Sequence, residues 1–258
     1  MTTLTHQQIR SGEALERFES LDEGLRAWAI SHGAEEYHFP VLIAGGALRL
    51  AEYPDAFPHL LMAPCVAADP EKTFAGHNVE LCDWFLSPAV CYHSYAAFAG
   101  RALETNQMLT ARGCCFRHED PTALAPGRRQ IEFEMREVIL IGEPEWIEER
   151  LAALQPDVTA LAVEAGLQGD WQPANDPFFL PRARGKAHMQ RLLGTKIEYC
   201  LDDGLAVASI NRHGAFFGER FFIRNISGGI SHSACIAFGL DRWAAHHFLA
   251  TLNHASSL

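Results

Sequence analysis

Two arginines mark where this chain could handle phosphate. Arg117 stands in CFRHED and, with Glu119, closes an apolar stretch that runs straight into DPTALAPGRR, a loop rich in Pro, Gly and Arg. Arg242 stands in AFGLDRW, in the first turn of a helical pattern that follows an apolar stretch and one glycine. A planar guanidinium grips phosphate oxygens two at a time, so arginines on two separate elements could clamp a polyphosphate. Either one alone reads as a surface charge or half of an ion pair; their joint placement is what suggests function. No GxxxxGK[ST] loop is present and no GxGxxG precedes a helix, so the usual phosphate cradles are missing. Seven cysteines stand at 65, 82, 91, 114, 115, 200 and 235, with no CxxC pair among them. The odd number, in a chain read as cytosolic, argues against a disulfide framework, and spacing alone marks no zinc ribbon. Any one of them, taken singly, reads as a small buried hydrophobe.

The elements that must position these residues follow from periodicity. Leu15, Phe18, Leu21, Leu25 and Trp28 fall three or four apart, which predicts an amphipathic helix over 11–30. YHFPVLI is extended up to a Gly45-Gly46 break, FPHLLMAPCV is a strand, and the second half of WFLSPAVCYHSYAAFAG is helical after Pro88. From Thr110 to Gly142 the chain reads as a long hairpin. In its return strand Ile131, Phe133 and Met135 alternate with Glu132, Glu134 and Arg136, a polar face that ordinarily meets solvent. A helical segment over 144–167 is expected to break at Pro156, and a polar, Pro-rich connection follows it. KIEYCL and GLAVASIN read as strands, Arg212-His213-Gly214 as a turn, AFFGERFFIRN as a strand, SGGISH as a loop, ACIAFG as a strand and LDRWAAHHFLATLN as a terminal helix. Mostly antiparallel strands with inserted helices make the class α+β. No repeat or Gly/Ser linker divides the chain, so residues 1–258 read as one domain, with an N-terminal helical segment over 1–36 and a helical insertion over 144–190.

Length and charge bound the function. The chain has 258 residues, 48% of them hydrophobic, with 32 acids against 21 Lys and Arg for a net charge of −11. That is long enough for a sizeable core. No apolar run reaches the roughly 18–20 residues of a membrane helix, and the N-terminus lacks a signal peptide's apolar core; the expectation is a cytoplasmic protein with no membrane partner. The acidic balance argues against wrapping a long nucleic acid, since phosphate binding wants a cationic surface.

The two arginine motifs resemble those of a known class of enzymes. Phe-Arg-His-Glu at 116–119, its loop and the strand EFEMREV resemble motif 2 of class II aminoacyl-tRNA synthetases; Phe238-Gly239-Leu240-Asp241-Arg242 resembles their motif 3, and Pro40 suits motif 1. More narrowly, YPDAFPHLL, LSPAVCYHSY, CFRHED, MREVILIGEPE, NDPFF, SINRHGAFFGERFFI and HSACIAFGLDRW resemble the amino acid:[carrier protein] ligases, relatives of the catalytic core of zinc-dependent seryl-tRNA synthetases. The resemblance runs from about residue 37 to 250. It implies an antiparallel sheet flanked by helices, and the chain has no room for the long N-terminal tRNA-binding arm.

The resemblance also implies a site. A zinc ion would be held by Cys91, Glu132 and Cys235, with Glu134 as the alternative to Glu132. Two thiolates and a carboxylate satisfy Zn²⁺ and leave a fourth position for a substrate's amino group. Arg117 and Glu119 would hold the ATP α-phosphate and the adenine edge, Phe133 would stack on the adenine, and Arg242 would meet the γ-phosphate. Glu137 matches the family's acid near the end of motif 2, or else pairs with an arginine. Lys196, Glu198, Ser209 and Asn211 would line the nucleotide and amino-acid pocket, with Glu198 the candidate Mg²⁺ ligand because GLAVASIN carries no acid.

The implied reaction joins a small amino acid, glycine or alanine, to AMP and then to the phosphopantetheine thiol of a carrier protein. None of the chain's cysteines needs to be the nucleophile. Carrier proteins are typically acidic, so docking onto a chain of charge −11 calls for a local basic patch. Arg182, Arg184 and Lys186 supply one, unless that run is simply a solvated loop. Two other readings stay open: an enzyme charging tRNA, disfavoured by length and charge, and an inactive synthetase-like binding module, disfavoured by the intact Arg117, Glu119 and Arg242. Class II catalytic domains pair through motif 1, so a homodimer joined at YHFPVLI is expected.

Overall fold

The computed structural model describes residues 9–69, 71–72, 78–174 and 195–246. The hairpin demanded by the alternating pattern is present: β6 (Gln107–Phe116) pairs antiparallel with β7 (Glu132–Gly142), in register from Gln107↔Ile141 to Phe116↔Glu132. It lies within a seven-stranded sheet of order β1-β6-β7-β11-β10-β9-β8. Here β1 is Glu35–Glu36, β8 Gly169–Pro173, β9 Lys196–Leu201, β10 Ala206–Gly214 and β11 His232–Gly239. Among the described strands of this sheet only β1, beside β6, runs parallel to its neighbour. Two small two-stranded sheets stand apart, β2 (Leu42–Ala44) with β5 (Trp84–Leu86) and β3 (Cys65–Ala67) with β4 (Val79–Leu81).

Successive residues of a strand face opposite ways, and this sorts the core into two layers. Val138 and Leu140 of β7, with Ala234, Ile236 and Phe238 of β11, pack under α1 (Glu13–Ser31) and α5 (Pro144–Glu164). Ile139 and Ile141 of β7 and Cys235 of β11 face the other way, against α4 (Cys91–Ala97) and α6 (Phe216–Arg220). The short helices α2 (Gly45–Leu50) and α3 (Tyr53–Ala56) extend that second layer through Leu48 and Tyr53. One face is thus closed by two long helices, and among the described residues the helices on the other are short. Among the described residues no helix is long and apolar enough to cross a membrane.

Five expectations change. The helix over 144–164 runs through Pro156 without a break. Ile147, Leu151, Leu154, Val158 and Ala162 form its buried stripe; each large apolar side chain buried is worth about 1.5–3 kcal/mol, which outweighs the roughly 3 kcal/mol cost of an interior proline, and Pro156 itself faces solvent. AFFGERFFIRN does not form a strand: residues 216–220 are the helix α6. A short apolar run fits either period, and here Phe217 and Phe221, four apart, both reach the buried ring of Tyr95, at 4.0 and 6.1 Å between centroids. Residues 212–214 belong to β10 rather than to a turn. FPHLLMAPCV is extended only from Cys65, while part of the supposed connection forms the edge strand β8.

Gly218 is what lets α6 dock. A Cβ there would lie 1.9 Å from the Ser231 carbonyl oxygen, so the helix backbone rests directly on the segment entering β11. Gly218→Ala is expected to cost about 1–3 kcal/mol by overpacking, read as a lower urea midpoint with an unchanged slope.

Candidate active site and metal centre

Three buried side chains converge on the open face. Cys91 opens α4, Glu137 lies mid-way along β7, and Cys235 lies on β11; their candidate ligand atoms are all within 4.8 Å of one another. The sheet register explains the meeting. Glu137 faces Ala237 of β11, so Cys235, two residues along, is its diagonal neighbour on the same face. The Glu137 Oε1 accepts the Val90 N–H at 2.9 Å, which ties the carboxylate to the start of α4. Its Oε2 is sealed from solvent and has no hydrogen-bond partner among the described residues.

Burial pushes Glu137 above the ordinary carboxylate range. Cys91 is pushed well up by its contact with Cys235 and by burial. Contact with Cys91 pulls the Cys235 thiol down, but burial and the neighbouring Glu137 charge outweigh it and the thiol ends raised. Three acidic groups packed together out of water repel one another once ionised, and a cation is what relieves that repulsion. Two sulfurs and one carboxylate oxygen suit Zn²⁺ and leave one position free. The orphaned Oε2 of Glu137 fits the same reading.

The structure does not bring Glu132, the expected third ligand, to the two cysteines; the carboxylate beside them is that of Glu137. Glu132, Glu134 and Arg136 share the face covered by α1, as the packing of Val138 and Leu140 shows. Glu134 is bound there by Arg112 at 2.6 Å, and Glu132 lines a cavity of about 250 Å³ with Arg10, Glu134 and Asp241. A strand's period of two sends the side chains of Glu132 and Glu137 to opposite faces of the sheet.

The other expected residues gather beside the trio. Across the sheet, Glu198 of β9 faces Ser209 of β10, which faces Ala237 of β11, which faces Glu137. The next row is Lys196, Asn211, Cys235 and Ile139. Lys196 pairs with Glu198 at 3.1 Å, and Asn211 Nδ2 donates to Ser209 Oγ at 3.1 Å and to Cys235 Sγ at 3.5 Å. Arg117 lies over the Phe133 ring, 5.0 Å from its centroid, and donates from Nε to the Pro88 carbonyl at 3.1 Å. Arg242 donates to the carbonyls of Arg128 (2.9 Å) and Ala206 (2.6 Å), joining the motif 2 loop to the start of β10. Burial, and then repulsion from Arg117, lowers the Arg242 pKa; Glu198, Arg129 and Glu119 also act on it. Glu119 accepts from Arg129 at 2.8 Å. The face thus holds a cluster of cations next to two carboxylates, an arrangement suited to a triphosphate and its metal ion.

Sequence reading missed Tyr95, His213 and Ser233, which stand behind Cys235. Tyr95 Oη is 3.1 Å and Ser233 Oγ 3.5 Å from His213 Nδ1, and His213 Nε2 is 4.0 Å from Cys235 Sγ. The pattern YHSY and the odd parity of His213 with Asn211 were the only signals. Arg182, Arg184 and Lys186 lie outside the described residues.

No protein-family model matches the chain. Amino acid–[acyl-carrier-protein] ligase 1 of Bradyrhizobium diazoefficiens is 30% identical over 253 residues, covering 90% of this chain and 77% of that protein. Ligase 2 of the same organism is 29% identical over 233 residues, with 83% and 69% covered. A type-2 serine–tRNA ligase of Methanocaldococcus jannaschii is 28% identical over 172 residues, 62% of this chain and 33% of that one. Among solved structures, M. kandleri SerRS in complex with A. aeolicus tRNASec superposes with a TM-score of 0.78 at 22% identity, over 95% of this chain and 53% of that one. The cytoplasmic serine–tRNA ligase of Naegleria fowleri, in complex with AMP, gives a TM-score of 0.70 at 12% identity over 93% and 49%. The fold is therefore that of class II seryl-tRNA synthetases, and the chain spans about half the length of those solved relatives.

Proposed function

Since the chain belongs to the amino acid–[acyl-carrier-protein] ligase family, an enzyme family, we propose that it activates a small amino acid, glycine or alanine, with ATP and passes it to the phosphopantetheine thiol of an acidic carrier protein. One observation carries the reading furthest: the buried Cys91–Glu137–Cys235 trio lies on the sheet face that also bears Asn211 and Glu198 and adjoins Arg117 and Arg242. In this reading the trio holds zinc, which when bound supplies one open position for the substrate's neutral amine. Asn211 and Ser209 stand beside Cys235 and bound the space for the side chain. Phe133, with Arg117 over its ring, receives the adenine, and Glu119 its edge. Arg117 and Arg242 grip the phosphates, with Glu198 as ligand for a magnesium ion brought in by ATP.

Chemistry then follows from charge. The amino acid's carboxylate oxygen attacks the α-phosphorus in line; the bond to the bridging oxygen breaks and pyrophosphate leaves. Arg117 and Arg242 absorb the charge that builds on the phosphoryl oxygens. The carrier's thiolate then attacks the acyl carbon and AMP departs, leaving a thioester. Amino-acid-dependent ATP–pyrophosphate exchange tests the first step, and weighing the products formed with candidate carriers and with tRNA tests the second. Loaded tRNA in place of loaded carrier would overturn the acceptor. Arg242→Ala is expected to lower exchange by about 100-fold or more, with Arg242→Lys restoring little because it lacks the fork. Docking is assigned to Arg182, Arg184 and Lys186. Charge reversal there should slow carrier loading and spare exchange; equal loss of both would argue against docking. The reading carries with it a single catalytic domain in the cytoplasm, paired as a homodimer across the Pro40 segment.

A further inference from the structure

We propose that His213 is a positioning residue for the metal centre, its Nε2–H held by Tyr95 toward the Cys235 sulfur. The inference rests on the reading of Cys91, Glu137 and Cys235 as metal ligands and adds a layer behind them. His213 follows Asn211 by two residues on β10, where the pairing with β11 shifts between Arg212 and Gly214. Gly214 takes a φ of 57°; an irregularity of this kind re-aims the side chain beside it. The imidazole is pinned on three sides. Phe217 meets it edge-on at 4.9 Å and 71°, and Tyr95, stacked on Phe217 at 4.0 Å, brings its hydroxyl to 3.1 Å from Nδ1. Ser233 Oγ approaches the same nitrogen at 3.5 Å.

In this proposal Nδ1 accepts the Tyr95 O–H and the ring proton resides on Nε2, which lies 4.0 Å from Cys235 Sγ. Asn211 Nδ2 donates to the same sulfur at 3.5 Å. Two N–H groups aimed at one thiolate orient it and draw off part of its charge, as donors behind metal ligands do. Tyr95 is fully buried and lies on α4 four residues after Cys91, so one rigid unit supplies one ligand and orients the donor to another.

The test compares wild type, Tyr95→Phe, His213→Gln and His213→Leu as full-length chains. Zinc affinity is measured by chelator competition, and the sulfur-to-cobalt charge-transfer band is recorded after cobalt substitution. His213→Leu is expected to bind zinc about 10–100-fold more weakly and to shift the cobalt band. His213→Gln, which keeps a side-chain N–H, recovers part of the affinity, and Tyr95→Phe moves both readouts in the same direction by less. Wild-type affinity and an unshifted band in His213→Leu would overturn the proposal. Should that variant not fold, the near-isosteric Tyr95→Phe decides, and no change in either readout overturns it. A wild-type chain that takes up no zinc overturns the metal-centre reading beneath it, a distinct result.

Discussion

Glu137→Gln is expected to leave the protein folded and without zinc, and to lower amino-acid-dependent pyrophosphate exchange by more than about 100-fold. A lost partner behind a ligand already costs 10–100-fold in affinity or activity, and here a charged ligand itself is removed. The amide fits the same space and keeps an oxygen to accept the Val90 N–H, now at 2.9 Å from Glu137 Oε1, so packing survives. What goes is the negative charge that complements a dication between two thiolates. Glu132→Gln is the matched control and should retain zinc at wild-type affinity, because its side chain lies on the face closed by α1. Atomic absorption on the two purified variants decides. Zinc lost from Glu132→Gln and kept by Glu137→Gln would reverse the ligand assignment. The surroundings raise the pKa of all three groups of the trio in the folded chain, so zinc competes with protons for them and should bind more tightly as pH rises.

The second large effect concerns stability. Asp22→Ala is expected to destabilise the fold by about 3–5 kcal/mol, the cost of stranding a buried charge. Asp22, in the middle of α1, accepts two hydrogen bonds from Arg136 of β7, at 2.6 and 2.9 Å. Arg136 is only 2% exposed, and its remaining partners are Thr110 at 3.3 Å and Glu36 at 4.0 Å. Removing Asp22 leaves a guanidinium that water cannot reach. Replacing both members by apolar residues, as in Asp22→Leu with Arg136→Met, should recover most of the loss, since a buried ion pair gains little over good packing. Chemical denaturation of the two single variants and the double measures the coupling. Additive losses would show that the pair does not act as a unit.

These two residues also show how far the pattern could be read. Alternation in EFEMREV announced a strand, and the strand is there. The same alternation suggested that its charged face met solvent. Arg136 is instead buried, because α1 lies across that face and brings an acid of its own; only the packing of a helix 114 positions away decides whether a polar face is wet. The arginine motifs were legible because each joins a strand end to a loop or a helix, and such junctions are local. AFFGERFFIRN was not: its helix depends on Tyr95 and on the close contact of Gly218 with Ser231.

By itself, then, the sequence determined the class of fold and the family, and it singled out candidates for binding phosphate and metal, since local periodicity and short motifs carry that information. The carboxylate that meets the two cysteines was within reach too, because parity on a strand already sets Phe133 and Glu137 together and Glu132 apart. Only the tertiary structure decided which of these residues meet. Cys91 and Cys235 lie 144 positions apart, and a helix start, two paired strands and their register bring them with Glu137 to within 4.8 Å. Whether a buried acid pairs with an arginine, as Asp22 does, or waits among sulfurs, as Glu137 does, depends on which elements pack over it.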